Sequence, residues 1–250
     1  MSSRRAAPRA GEPARTDPML AVLLLAVGLA AQADDADTLY ANRADPGSAG
    51  RAAAIWDARL ARDAGDFEAA WKLARACYWL GGHEAPADQR RQYERGVEAG
   101  RRAAALHPER PEGHFWMAAN MGALAESFGL RHGLRYRGAI KDALETVLRL
   151  DSAFQQGSAD RALGRWYMKV PGLFGGSDQK AIEHLRRSLD YNRHSTASRY
   201  FLAETLLEMN RRVEARAELQ QVLDAPLDPD WAPEDEEFKA KARALVATLE

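Results

Sequence analysis

The chain has 250 residues, of which 46% are hydrophobic, 8% aromatic and 28% charged, a globular composition that excludes wholesale disorder. Its 35 basic and 36 acidic residues leave a net charge of -1, which excludes nucleic-acid binding through bulk charge because phosphate contacts need a basic excess or face. The single cysteine, Cys77, excludes an internal disulfide framework and a zinc site of the paired-cysteine type.

Residues 1–33 read as a cleavable signal peptide. Arg4, Arg5, Arg9 and Arg15 precede the apolar run from Met19 to Ala30, and Ala31-Gln32-Ala33 supplies a small-x-small cleavage pattern. The apolar core is short for a membrane span, and an uncleaved anchor is the competing reading. No cysteine follows the run, so there is no lipobox. Removal of the leader takes away four arginines and two acids, leaving an exported chain of net charge -3. Residues 34–50, rich in Ala, Asp, Gly and Ser, read as a linker.

From Arg51 to the end (51–250) apolar residues recur every three or four positions, and no β-branched run alternates with a period of two, so the remainder is expected to be all-α. A leading helix is expected around 52–64. Four segments then share a pattern of aromatic and small residues: Trp71 to Tyr78, Phe115 to Gly122, Asp160 to Tyr167 and Tyr200 to Leu206. Each is followed by a second amphipathic stretch, such as Tyr93…Val97…Ala103 or Ala181…Leu185…Leu189. Ala74, Ala118, Leu163 and Leu202 mark equivalent positions at spacings of 44, 45 and 39. A tetratricopeptide repeat has the same Leu-Gly-x-x-Tyr core at a period of about 34 residues. The excess is placed in insertions at 81–88, 126–137 and 169–177. The expected fold is an α-solenoid of about four degenerate helix-turn-helix repeats with a C-terminal capping helix around 234–249. Small residues at Ala74, Ala119, Gly164 and Ala203 are expected where antiparallel helices cross closely.

No metal, phosphate-loop or nucleophile-elbow motif occurs. His184, next to Glu183, reads as a surface residue, and Cys77 as a buried inert thiol. Ser177 or Asp178 reads as a helix N-cap. Glu126 could lie near Asp142 or Glu145, but nothing in the sequence brings these acids together. The chain is therefore read as non-enzymatic, with no cofactor and no metal. Most of its six tryptophans read as core fillers. A competing reading has Trp116, Trp166, Tyr167 and Phe174 lining a cavity for an apolar ligand. The segment Lys169-Val-Pro171-Gly172-Leu-Phe-Gly175-Gly176 is longer than a tight turn requires. Val170, Leu173 and Phe174 suggest that it is a packed, shaped loop.

That loop, with Arg161-Ala-Leu-Gly164-Arg-Trp-Tyr167 before it and Lys180-Ala-Ile-Glu-His-Leu185 after it, resembles the T-component (TatT-like) family of TRAP transporters. Trp71-Lys-Leu-Ala-Arg-Ala76, Glu112 to Trp116 and Leu150 to Phe154 resemble the family's other blocks, so the likeness runs from about 66 to 223. The resemblance implies a periplasmic, non-enzymatic repeat protein that docks to a TRAP solute-binding protein or binds a hydrophobic small molecule, and a trimeric homo-oligomer. The alternative from the repeats themselves is a cell-envelope protein-protein scaffold that uses the concave face of the stack and holds no small-molecule ligand.

Overall fold

A computed structural model describes residues 35–128 and 130–249; the expected signal peptide, 1–33, lies outside them. No strand occurs among the described residues, and the architecture is an α-solenoid. Helix α1 covers residues 35–41. It is followed by α2 (Ser48–Arg62), α3 (Phe67–His83), α4 (Pro86–Leu106), α5 (Pro111–Ser127), α6 (Leu130–Leu150), α7 (Phe154–Lys169), α8 (Asp178–Tyr191), α9 (Thr196–Glu208), α10 (Arg212–Asp224) and α11 (Ala232–Ala247). The pairs α3/α4, α5/α6, α7/α8 and α9/α10 are the four expected repeats. Helices α2 and α11 are the leading and capping helices.

The marker positions Ala74, Ala118, Leu163 and Leu202 are all buried. Turns between helices are set by side-chain caps where the sequence offers them. Asp66 accepts from the Ala69 amide, Ser177 from Lys180 and Ser195 from Ser198, each satisfying a backbone donor that the first helical turn leaves free. Ser177 is thus the expected N-cap. Two core clusters meet at α8, where Ala181 belongs to the first and Ile182 to the second.

Three expectations are corrected. The stretch 34–50 is not a linker: residues 35–41 are helical, Ala36 is fully buried, and the Tyr40 ring packs 5.9 Å from Trp56 and 4.1 Å from the Arg75 guanidinium. One alanine and one tyrosine suffice to bind this polar segment to the core. The first two insertions are not loops either, because Pro86 opens α4 two residues beyond α3 and both α4 and α6 reach 21 residues; their extra length extends helices. At the third, a 3-10 turn (Gly172–Phe174) leaves Leu173 89% exposed and Phe174 only half-buried. Backbone hydrogen bonds hold that loop, from Ser177 to the Tyr167 carbonyl (2.9 Å) and from Phe174 to that of Pro171 (2.8 Å). Gly175 sits at φ 101°, and a Cβ on Gly176 would lie 1.6 Å from the Val170 carbonyl oxygen, so both glycines of the motif are required.

Between helices, the closest backbone approach joins consecutive repeats. A Cβ on Gly100 of α4 would lie 2.6 Å from the Met117 amide nitrogen of α5, and one on Gly113 would lie 2.4 Å from that of Ala104. Within the third pair, a Cβ on Gly164 would lie 2.5 Å from Leu185 Cγ, as expected for a helix crossing. Gly122 on α5, by contrast, faces open space. Gly100→Leu is expected to lower the unfolding free energy by about 3 kcal/mol or more, because backbone rather than a side chain must yield. Gly122→Ala is expected to raise it by ~0.5–1 kcal/mol. Urea unfolding of the two variants checks both, and equal effects would contradict the packing.

Candidate functional site

The first helices of the pairs touch one another in sequence, α3 with α5, α5 with α7, α7 with α9 and α9 with α11. The second helices α4, α6, α8 and α10 show no comparable contacts among the described residues. A stack whose helices meet on one side and splay on the other curves toward the side that meets, so the first helices form the inner, concave layer.

Charged side chains run along this layer in register. Arg165 on α7 donates to Glu126 on α5 (3.0 and 2.8 Å) and to Glu204 on α9. The three positions are 39 residues apart. The Arg165 guanidinium also lies 4.4 Å from the Phe201 ring centre. Tyr78 on α3 is 43% exposed, yet burial, followed by the charge of Glu126, pushes its phenol pKa up. A side chain that touches solvent and is still ringed by protein is what the floor of a groove requires. Glu126 is engaged by Arg165, and Glu145 pairs with Lys141 (3.6 Å).

Across the groove the two ends of the solenoid meet. Arg43, only 5% exposed along its side chain, donates through Nε to Glu234 Oε1 (2.8 Å) and through a terminal nitrogen to the Asp230 carbonyl (2.8 Å), with a second contact to Glu234. Its guanidinium lies 5.3 Å from the rings of Tyr40 and Trp79 and 6.0 Å from that of Trp231. His83, stacked 3.7 Å from Trp79, reaches Glu237 at 2.6 Å. The hydrogen bond to Glu237 holds the His83 pKa above its usual value. Burial acts to raise the Glu237 pKa, but the His83 contact outweighs it and the net shift is downward. These contacts fasten the turn after α1 and the end of α3 to the first two turns of the capping helix.

Beside this latch lies a cleft of about 280 Å³. Its walls are the turn at Gln155 and Gln156, Arg161, the start of α9, the 226–231 loop and Phe238 of α11. None of the four residues expected to line a ligand cavity borders it. Trp116, Trp166 and Tyr167 are buried in the core. Trp116 packs on Phe115 (5.0 Å) and Tyr78 (5.8 Å), while Trp166 and Tyr167 meet edge to face at 4.9 Å. Phe174 shares that second corner through Arg137, whose guanidinium lies 5.3 Å from its ring and whose carbonyl accepts from Trp166 Nε1.

His184 is not a surface residue: its Nδ1 lies 2.6 Å from buried Asp160 and its ring stacks 5.3 Å from Tyr167. Cys77 is buried, and burial pushes its thiol pKa up to about 12, which leaves it without thiolate reactivity. Among the described residues no group of three or more His, Cys, Asp or Glu side chains is placed to hold a metal, and no helix is long and apolar enough to cross a membrane.

Sequence reading missed Arg43, Arg161 and Arg165. The 39-residue spacing of Leu163 and Leu202, applied to charged positions, would have aligned Arg165 with Glu204 and Glu126. No local signal pairs Arg43 with Glu234.

Paired helices, a concave inner layer and a capping helix define a tetratricopeptide-type α-solenoid. A tetratricopeptide-repeat model matches residues 179–245. The chain belongs to the family described as regulator of microtubule dynamics protein 1-3, whose model matches residues 32–174. Among solved structures it is similar to TTC0263, a thermophilic TPR protein of Thermus thermophilus, with a TM-score of 0.65, 22% identity, 88% of this chain covered and 99% of that one. It is also similar to MamA 41-end from Desulfovibrio magneticus RS-1, with a TM-score of 0.51, 15% identity, and 78% and 94% covered. At these identities the likenesses establish the fold alone. No curated protein matches the sequence.

Two outcomes test the latch. Arg43→Ala, which leaves Glu234 without its partner, is expected to cost about 3 kcal/mol in thermal unfolding and to speed hydrogen exchange at the start of α11. Unchanged exchange there would contradict the end-to-end contact. The His83–Glu237 contact adds a pH dependence. The raised histidine pKa makes its contribution complete below the ordinary 6.5 and lost as pH rises through the folded value. The lowered glutamate pKa makes its contribution complete above the ordinary 4.5 and lost as pH falls through the folded value. Exchange at residues 232–238 should therefore be slower near about pH 6 than near about pH 9, after correction for intrinsic rates, and His83→Ala should flatten the difference.

Proposed function

We propose that the chain is a protein-binding scaffold that presents its inner helical layer as the docking face. The observation that carries this reading is the row formed by Tyr78, Glu126, Arg165 and Glu204, which follows one face of consecutive repeats. Such a row offers a partner an aromatic anchor and charges of both signs at fixed spacing. The rigid frame behind it supplies preorganisation, which lowers the ordering cost of association. The family's description, regulation of microtubule dynamics, concerns a protein assembly, and that agrees with a macromolecular partner for this chain.

In its finer form the proposal places the scaffold in the periplasm, as the leader implies, with a TRAP solute-binding protein as its partner. The support for that partner is the resemblance of the Pro171 to Gly176 loop. An apolar small molecule held by Trp116, Trp166, Tyr167 and Phe174 has less support, because the first three already pack against neighbouring rings in the core.

Photo-crosslinking from position 78, with a benzoylphenylalanine in place of the tyrosine, tests the docking face in cells that express the full chain. A defined protein adduct is expected from position 78 and none from position 101, on the outer helix α4. Arg165→Glu, which reverses the central charge, should reduce the adduct at least about tenfold. Equal adducts from both positions, or none from position 78, would overturn the reading.

A further inference from the structure

We propose that the cleft beside the latch is a binding site for a carboxylate carried on an apolar group, with Arg161 as its anchor. The site adjoins the docking face, with Arg161 one turn from Arg165 on α7 and within reach of the charge of Tyr78, and it stands whether or not that face binds a protein.

Arg161 borders the cleft, and no carboxylate among the described residues pairs with its guanidinium. The acids nearby are engaged elsewhere. Glu234 is held by Arg43. Asp235, itself buried, accepts from the Thr196 hydroxyl (2.5 Å) and the Asp228 amide (2.8 Å). Asp228 accepts from Gln156 Nε2 (3.0 Å). Arginine carries five donors in a planar fork and cannot shed its charge to ease its surroundings. Burial nonetheless pulls its pKa down, with the charges of Tyr78, Asp235 and Glu234 opposing. A cation held in that state is completed by an anion that brings its own charge, and a carboxylate fits the fork bidentately.

Two further observations give the cleft a second polar point. The Oε1 of Gln155 is shielded from solvent and has no hydrogen-bond partner, and Gln155 also borders the cleft. The backbone that places it is unusual: Gln155, Gln156 and Gly157 take φ of 44°, 58° and 74° in succession, left-handed values that side chains other than glycine rarely adopt. Rotation of the Gln155 side chain into the cleft would bring that oxygen to a donor on the ligand, such as the N–H beside a carboxyl-bearing carbon. Trp231, Phe238, Pro226 and Leu227 supply apolar wall, with Leu227 43% exposed. A volume of about 280 Å³ suits a small acid or the last residues of a peptide. The shared chemistry is the carboxylate, and its source is a free apolar acid or a polypeptide C-terminus.

Titration calorimetry on the full chain distinguishes the two. The probes are phenylacetate, phenylacetamide, and the tripeptide Ala-Leu-Phe with a free or an amidated C-terminus. Saturable binding of phenylacetate alone assigns the site to small acids, binding of the free tripeptide alone assigns it to peptide ends, and binding of both supports the shared chemistry. In each case the matching amide should bind at least about tenfold more weakly, and Arg161→Gln should lose a similar factor with an unchanged circular dichroism spectrum. Equal affinity for acid and amide, full affinity in Arg161→Gln, or no binding of either acid would overturn the proposal. Should Arg161→Gln fail to fold, Leu227→Glu sets a like charge at the partly exposed wall. Its failure to weaken the acid relative to its amide would also count against the site.

Discussion

Arg43 and Glu234 are 191 residues apart in sequence and joined by hydrogen bonds, and that contact ties the two ends of the curved stack together. A helical-repeat protein ordinarily gains its stability from each repeat and its immediate neighbours, so its ends do not sense one another. Here the turn after α1 and the end of α3 hold the first two turns of α11, and the series of repeats becomes a closed circuit. Burying a guanidinium costs several kcal/mol. The cost is offset by the counterparts of Arg43: a carboxylate on two oxygens, a backbone carbonyl, and the rings of Tyr40, Trp79 and Trp231. Closure of so long a loop is feasible because the intervening chain is already folded, and its entropy is not lost a second time.

The circuit closes only if each helix pair adds the right rotation, and small residues set those rotations. At the α4/α5 crossing Gly100 and Gly113 bring backbone against backbone. At the α7/α8 crossing Gly164 receives Leu185. Packed cores yield little to volume changes, so a side chain at one crossing tilts everything beyond it. The Glu126–Arg165–Glu204 ladder imposes the same geometry from the inner surface, since one guanidinium serves two carboxylates only while α5, α7 and α9 keep their spacing.

The part of this arrangement legible in the sequence is the part written locally. Ala74, Ala118, Leu163 and Leu202 recur because every pair solves the same packing problem, and the four pairs, the leading helix and the capping helix follow from them. Residues 35–41 were illegible because a polar stretch with one tyrosine has linker composition, and only Trp56 and Arg75 give that tyrosine somewhere to pack. The insertions at 81–88 and 126–137 misled because surplus length in a repeat can lengthen helices as readily as loops. Leu173 misled because an apolar residue in a glycine-rich loop suggests burial, whereas the loop is closed by backbone hydrogen bonds. The candidate site was less legible still. Tryptophans advertise themselves, and three of the four candidate wall residues proved to be core. An arginine is one of many in a chain with 35 basic residues, and only the fold shows which of them lack a partner.

The latch and the cleft share residues, and this binds their energetics together. Trp231 lies against Arg43 in the latch and also borders the cleft; Glu234 accepts from Arg43 and stands in the same wall. Any separation of the ends would carry that wall away with α11, so an occupant of the cleft would bind the closed circuit in preference. By linkage, an occupant then stabilises closure by the same free energy by which closure improves its binding.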